Sequence, residues 1–143
     1  MITADAQRQF VKDVAWAFSG TPFEEVREDG VIALVWKQGE ISAGASVNAE
    51  EAWVWLGEAA VPVNSSEDAV GLLGAIFADE IVTVNAFEQD VFIANALANA
   101  CDLHLAPHLL VPIDPRTIAR IDALKVQSWS GAKDATQPWP RED

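Results

Sequence analysis

Apolar and polar residues alternate between Ile41 and Asn48, where every second position is apolar and the positions between are small. This period of two is typical of a strand with one buried face. Other short apolar segments, separated by turn residues such as Asp29-Gly30, also have strand character. The segments predicted as strands are 23–27, 31–36, 41–48, 52–56, 81–87 and 125–129.

Helical spacing appears in three places. Residues 4–18 repeat apolar positions three and four apart and end at Ser19-Gly20, and residues 66–78 follow a polar segment able to cap a helix. Asp114-Pro115 pairs a capping residue with proline at the first helical position, so a further helix is expected there. Residues 91–103 fit a strand or a helix. The alanine content of 94–100 favours a helix.

A chain of 143 residues that is 50% apolar has enough material for one core. The elements predict an α+β fold with a mainly antiparallel sheet and helices packed on one face. We expect a single domain over residues 1–131. Residues 132–143 have no period and contain two prolines, which predicts a polar C-terminal tail.

Negative charge is concentrated in the middle of the chain. The 78 residues between Lys37 and Arg116 contain no lysine or arginine but twelve carboxylates, and the net charge of the whole chain is -13. Such a segment repels phosphate backbones and anionic lipid, so nucleic acid and membrane surfaces are not expected partners. A basic protein surface is the charged partner that this sign favours.

Neither a secretory signal nor an apolar run of about 20 residues is present in the sequence, and Cys101 is its single cysteine. These features predict a soluble cytoplasmic protein.

Trp53 and Trp55 are the strongest candidates for a binding surface. Two residues apart on a predicted strand, they project to one face, where they close a core or form a flat exposed platform. Burial in the core is the better supported alternative, because large exposed apolar patches are rare. If the two are exposed, Glu50, Glu51 and Glu58 provide an acidic rim.

A weak metal candidate lies between residues 101 and 108, where Cys101, His104 and His108 bring together a thiol and two imidazoles. Pro107 interrupts the helix that would align the two histidines, so no metal and no cofactor is predicted. Alanine neighbours predict that Cys101 is buried rather than nucleophilic. No serine or carboxylate pattern indicates a catalytic site, so an enzyme is the less favoured class.

These observations favour a non-enzymatic acidic protein that binds a basic protein as an inhibitor, an immunity-type neutraliser or a chaperone. The alternative is a small-molecule-binding domain or small enzyme with a tryptophan-lined pocket between sheet and helices. Homo-oligomerisation is left open by the sequence.

Overall fold

The computed structural model describes residues 1–103, 110–111 and 114–138. These residues form three α-helices, one 3-10 turn and nine strands. In chain order the elements are α1 (Ala4–Ala17), β1 (Glu24–Glu28), β2 (Val31–Gln38), β3 (Ile41–Val47), β4 (Ala52–Leu56), β5 (Ala59–Val63), α2 (Ser66–Phe77), β6 (Ile81–Glu88), β7 (Val91–Asn99), the 3-10 turn (Ala100–Asp102), α3 (Pro115–Ile118), β8 (Ala123–Gln127) and β9 (Ala135–Pro138).

The strands build two antiparallel sheets, with orders β1-β2-β3-β4-β5 and β7-β6-β8-β9. The predicted α+β class with antiparallel pairing is therefore confirmed, although the strands are shared between two sheets. The chain divides into two compact units, which we call unit 1 (residues 1–75) and unit 2 (residues 76–143). The predicted domain bounds at residue 131 stay a prediction. In the described part of the chain, no helix has both the length and the apolar character needed to cross a membrane.

Unit 1 is a meander in which each strand pairs with the next one along the chain. At the first hairpin Asp29 and Gly30 both take positive φ angles, 52° and 79°, as a two-residue turn between twisted strands requires. The predicted strands match β1 to β4 within one or two residues. Strand β5, which contains Pro62, is an additional edge strand that the pattern did not predict.

Helix α1 covers one face of this sheet. It begins at Thr3, whose Oγ1 accepts a hydrogen bond from the Ala6 amide at 3.1 Å, and it buries Phe10, Val11 and Val14. Its most extensive contacts with strands are those with β2 and β3. Residues on the covered face are buried at alternate positions of β2, β3 and β4: Leu34, Trp36, Ala43, Ala45, Val54 and Leu56.

Unit 2 is organised around β6, which pairs with β7 on one side and β8 on the other. One face of β6 and β8 contributes Val82, Val84, Ala86, Leu124 and Val126 to a buried cluster that also includes Leu110, Val111 and Ile121. Such a cluster is what an amphipathic sheet needs in order to remove its apolar face from water.

Two predictions for this part of the chain are wrong. Residues 91–99 form strand β7 and not a helix, because pairing with β6 outweighs the helical propensity of alanine. The proposed tail also contributes to the fold: Ala135–Pro138 pairs with β8 as β9. The Asp134 carboxylate accepts a hydrogen bond of 2.7 Å from the Ser128 amide, which fixes the start of that strand.

The predicted cap at Asp114 is present. Its carboxylate accepts a hydrogen bond from the Thr117 amide at 2.9 Å at the start of α3. This bond, opposed by partial desolvation and assisted by the Thr117 hydroxyl, holds the pKa of Asp114 below its ordinary value. The charged carboxylate is thus the form that caps the helix.

Candidate tryptophan platform and acidic turns

Trp53 and Trp55 lie on the face of the unit 1 sheet opposite the one that α1 covers. Their neighbours Ala52, Val54 and Leu56 are buried on the covered face, whereas both tryptophans are half-buried. The two rings therefore lie on the same face of the sheet, as their spacing predicts. Each ring is neither fully buried nor fully exposed. A large aromatic side chain in this position has an apolar surface that a partner can still bury.

Trp55 lies across the neighbouring strand β3. Gly44 is directly opposite Trp55, and a Cβ atom built at Gly44 would come within 2.6 Å of Trp55 Cζ2. The indole Nε1 of Trp55 donates a hydrogen bond to Ser46 Oγ at 3.3 Å. The ring is held flat because glycine leaves room below it and serine accepts its polar hydrogen.

We call Gly44, Ser46, Trp53 and Trp55 the tryptophan platform. Ser46 is opposite Trp53 in the register, so the two tryptophans and the two small residues form adjacent rows on β3 and β4. Sequence reasoning singled out the tryptophans but missed Gly44 and Ser46. The available signal was a glycine inside an otherwise regular strand, which marks a close approach by another group.

The three carboxylates of the predicted rim lie in the turns at the two ends of β4. Glu50 and Glu51 belong to the turn after β3, where the Asn48 side chain accepts hydrogen bonds from both of their amides at 2.8 Å. Glu58 follows Gly57, whose φ is 61°, in the turn before β5. We call these two loops the acidic turns. They are separated by the length of β4, ~17 Å, so they bracket the platform without surrounding it.

The carboxylates of the acidic turns are exposed, and no lysine or arginine in the described residues lies within ion-pair distance of them. Three of the four basic side chains of unit 1 are instead paired elsewhere: Arg8 with Asp5, Arg27 with Glu25, and Lys37 with Glu24. The negative charge of the acidic turns is therefore not balanced by a neighbouring cation within the described part of the chain.

A groove of about 300 Å³ opens elsewhere in unit 1, between α1, the ends of β3, β4 and β5, and the start of α2. Its apolar floor is formed by Phe10, Val47, Ala52 and Val63. At its polar side Asp13 accepts hydrogen bonds from Ser66 Oγ at 3.0 Å and from Gln9 Nε2 at 2.7 Å. No tryptophan lines this groove.

A second concavity, of about 440 Å³, lies near the C-terminal end of α1 and is lined by Trp16 and Phe23. Trp16 is 79% exposed. This surface is open and mainly apolar, with Lys12 and Asp13 at its margin. It has no arrangement of polar groups that would orient a small ligand.

The proposed metal ligands are only partly described. Cys101 is in the 3-10 turn after β7, where it is exposed and its Sγ lies 3.7 Å from Asp102 Oδ1. The prediction that its alanine neighbours bury it is wrong: Ala100 lies with Cys101 in the short 3-10 turn that follows the edge strand β7, and the Cys101 side chain is at the surface. His104 and His108 lie outside the described residues. Within those residues, no three histidine, cysteine or carboxylate side chains are grouped to hold a metal ion.

Comparison of the chain with protein-family models, with curated proteins and with solved structures found no match.

Proposed function

We propose that the chain is a non-enzymatic binding protein and that the tryptophan platform with its acidic turns docks on a basic protein surface. The observation that carries this proposal is the half-buried tryptophan pair on one face of β4, with exposed carboxylates in the turns at both ends of that strand. Such a surface suits an inhibitor, an immunity-type neutraliser or a chaperone whose partner is basic. The single cysteine is consistent with a cytoplasmic location, which remains part of the proposal.

The chemistry of the platform suits arginine and lysine. The face of an indole attracts a cation within about 6 Å of its centre, and arginine stacks on it with particular preference. When an arginine of the partner protein stacks over Trp53 or Trp55, the neighbouring parts of the partner surface lie near the carboxylates at the two ends of β4. A partner with basic residues spaced ~17 Å apart would therefore satisfy the platform and both acidic turns.

The net charge of the chain also favours a basic partner. With a net charge of -13, the chain attracts cationic partners over distances longer than a contact and repels anionic ones. Exposed charges of this kind act mainly on the rate of encounter, whereas buried aromatic contacts set how long a complex lasts. The acidic turns and the platform therefore have separable kinetic roles.

Reversal of charge at Glu50, Glu51 and Glu58 to lysine is expected to slow association with a basic partner by about tenfold or more at low salt. The salt dependence of the association rate should become flatter, since the steering charges are gone. Replacing Trp53 by alanine should instead raise the dissociation rate. Stopped-flow kinetics across a salt series, with a basic protein recovered from cell extract at low salt, measures both constants.

A matched control carries the same change in net charge at Asp5, Glu67 and Glu80, which are exposed and lie outside the acidic turns. If the docking face is correct, the control slows association much less than the triple reversal does. Equal rates and equal salt slopes for the two variants would show that the carboxylates act only through net charge, and the docking face would be rejected.

The groove in unit 1 favours a second candidate function, the binding of a small molecule. Its volume of about 300 Å³ is at the lower limit of ligand sites, and it combines an apolar floor with one carboxylate. Asp13 is already hydrogen-bonded to Ser66 and Gln9, so its position is fixed before any ligand arrives. A small aliphatic amine has the complementary chemistry, with its chain on the floor and its ammonium group at Asp13.

Aliphatic amines of increasing length are expected to raise the melting temperature, and alcohols of the same length to raise it less. Asp13→Asn should remove the difference between the two series, because the amide carries no charge; its oxygen can accept one of the two hydrogen bonds, and its NH2 group can donate to the Ser66 hydroxyl or to the Gln9 side-chain oxygen. Differential scanning calorimetry of both proteins provides the measurement. An identical response to amines and alcohols in the native chain would exclude this candidate.

A further inference from the structure

The sheet of unit 2 has a second face, opposite the one that carries the buried cluster. Strand β6 contributes Thr83, Asn85 and Phe87 to this face, because these positions alternate with the ones that it contributes to the cluster. Directly opposed residues of an antiparallel pair project to the same side of a sheet, so the register places Asn95 of β7 and Lys125 of β8 beside Asn85.

Four polar residues cross this face side by side. We call them the polar row; in strand order they are Asn95, Asn85, Lys125 and Thr136. With strands about 4.8 Å apart, the row is about 14 Å long. Lys125 and Thr136 are exposed, Asn95 is half-buried, and Asn85 is 9% exposed. The row therefore has its floor at Asn85.

The side chains of the polar row have hydrogen-bonding capacity that the described residues do not use. Asn85 Nδ2 donates to the Lys125 carbonyl oxygen at 3.5 Å, which is long for a hydrogen bond. The side chains of Asn95, Lys125 and Thr136 have no hydrogen bond or ion pair to any residue in the described part of the chain. No aspartate or glutamate is among the paired positions on this face, although the chain has 22 acidic residues. The row is thus rich in donors and free of acidic side chains.

Thr83 provides an independent indication of a ligand. It is 1% exposed, and its Oγ1 has no hydrogen-bond partner among the described residues. An unpaired buried hydroxyl destabilises a fold, whereas valine would fill the same space without that penalty. Gln127 is directly opposite Thr83, and its side chain has no hydrogen bond within the described residues. Rotation of Gln127 therefore opens a path from the polar row to the hydroxyl.

Two aromatic rings flank the polar row on the side of the β6–β7 turn. Phe87 and Phe92 are directly opposed, and their ring centroids are 6.0 Å apart in an edge-to-face arrangement. Phe92 is 45% exposed, so part of its ring is available for contact. Phe87 follows Asn85 by two residues, which corresponds to about 7 Å along the strand. One small molecule can span this distance, with a polar end on the row and a ring on Phe92.

We propose that this face of unit 2 binds a small aromatic carboxylate. One carboxylate oxygen accepts a hydrogen bond from Lys125 Nζ, and the other accepts from Asn85 Nδ2 and Thr83 Oγ1. The aromatic ring of the ligand packs against Phe92. The site lies within unit 2, and it shares no residue with the proposed docking face, so either proposal can fail while the other stands.

The charge of the ligand follows from the charge of the chain. Lys125 and the amide donors favour an anion, but the net charge of -13 repels anions, and this repulsion grows with the charge that the ligand carries. A carboxylate carries a single charge, whereas a phosphate monoester carries up to two. A monoanion is therefore the ligand that the local donors can hold against the field of the whole chain.

Titration of the labelled protein with 3-phenylpropanoate, followed by NMR of its amide groups, tests the ligand chemistry. We expect a dissociation constant on the order of 1 mM, as for other ligands of this size, with the largest shifts at the Asn85 and Asn95 side-chain amides. 3-Phenylpropan-1-ol lacks the charge and propanoate lacks the ring, so each should bind about tenfold more weakly. Absence of binding, equal binding of the acid and the alcohol, or shifts confined to unit 1 would overturn the proposal.

Two lysine substitutions test the position of the carboxylate. Lys125→Met should raise the dissociation constant about tenfold, because it removes a charge-assisted hydrogen bond. Lys133→Met makes the same change in net charge in the turn before β9, and it should leave the dissociation constant unchanged. An equal effect of the two substitutions would mean that Lys125 acts only through net charge, and the site would be rejected.

Thr83→Val separates ligand binding from stability. Valine has nearly the same shape, and the hydroxyl that it removes has no partner among the described residues, so the urea midpoint should stay the same or rise. The dissociation constant for 3-phenylpropanoate should nevertheless increase severalfold. Native affinity in Thr83→Val would show that the hydroxyl does not face the ligand and would contradict the proposed geometry.

Discussion

Replacing Trp36 by alanine is expected to lower the free energy of unfolding by about 3–5 kcal/mol. Trp36 is completely buried on the face of the unit 1 sheet that α1 covers. Its ring contacts Phe18 edge-on, with centroids 5.8 Å apart, and Phe23 at 5.3 Å. Truncation would leave a large cavity and would remove both aromatic contacts. Urea denaturation followed by circular dichroism gives the change.

Trp16 provides the control for this substitution, because its side chain is 79% exposed. Trp16→Ala should change the unfolding free energy by no more than about 0.5 kcal/mol. If Trp36→Ala does not fold at all, Trp36→Phe should still fold with an intermediate loss, since it keeps part of the ring volume. A loss below about 1 kcal/mol for Trp36→Ala would contradict the packing described for this face.

Gly44→Ala is expected to destabilise the chain by about 3 kcal/mol although it adds a single methyl group. The new Cβ would lie 2.1 Å from the Leu34 carbonyl oxygen and 2.6 Å from Trp55 Cζ2. The ring can rotate away, but the carbonyl belongs to the adjacent strand and can move only with the sheet. We therefore expect a lower urea midpoint and a change in near-ultraviolet circular dichroism as Trp55 leaves its position.

Gly71→Ala is the matched control, because no atom lies within 4 Å of the Cβ that it would add in helix α2. This substitution should stabilise the chain by about 0.5–1 kcal/mol through its higher helix propensity. Opposite signs for the two glycine substitutions are the expected result. A neutral Gly44→Ala would mean that Trp55 does not rest on β3.

Unit 1 was largely predictable from the sequence because its signals are local. The Asp29-Gly30 turn, the alternation in β3 and the helical spacing in α1 each specify one element without reference to the rest of the chain. Strand β5 was missed because Pro62 argues against a strand. It is tolerated there because an edge strand has backbone amides that need no partner.

Unit 2 was harder to predict because its elements depend on distant partners. The turn between β6 and β7 consists of Gln89 and Asp90, both with positive φ angles, 47° and 66°, and it contains no glycine. Without a glycine, this turn gives no sequence signal that the chain reverses direction. The alanine content of β7 therefore favours a helix when the sequence is considered alone. Strand β9 was missed because its polar composition has no alternating pattern, and pairing with β8 defines it.

The candidate site was predictable in composition but not in geometry. The spacing of Trp53 and Trp55 placed the two on one face, and the order of the sequence placed Glu50, Glu51 and Glu58 around them. Whether the rings are covered depends on what lies across the strand. The glycine below Trp55 is eleven residues away in sequence and adjacent only through the register of β3 and β4.

The strand order of unit 2 has a consequence for how the chain folds as it is synthesised. Each strand of unit 1 pairs with its immediate successor, so its contacts close short loops and form early. Strand β6 cannot pair with β8 until the 34 residues between them and β8 itself have been synthesised. At translation rates of about 5–20 residues per second, this delay lasts about 2–7 s. During that interval the second edge of β6 has no partner, so unit 2 is the later of the two to reach its final pairing.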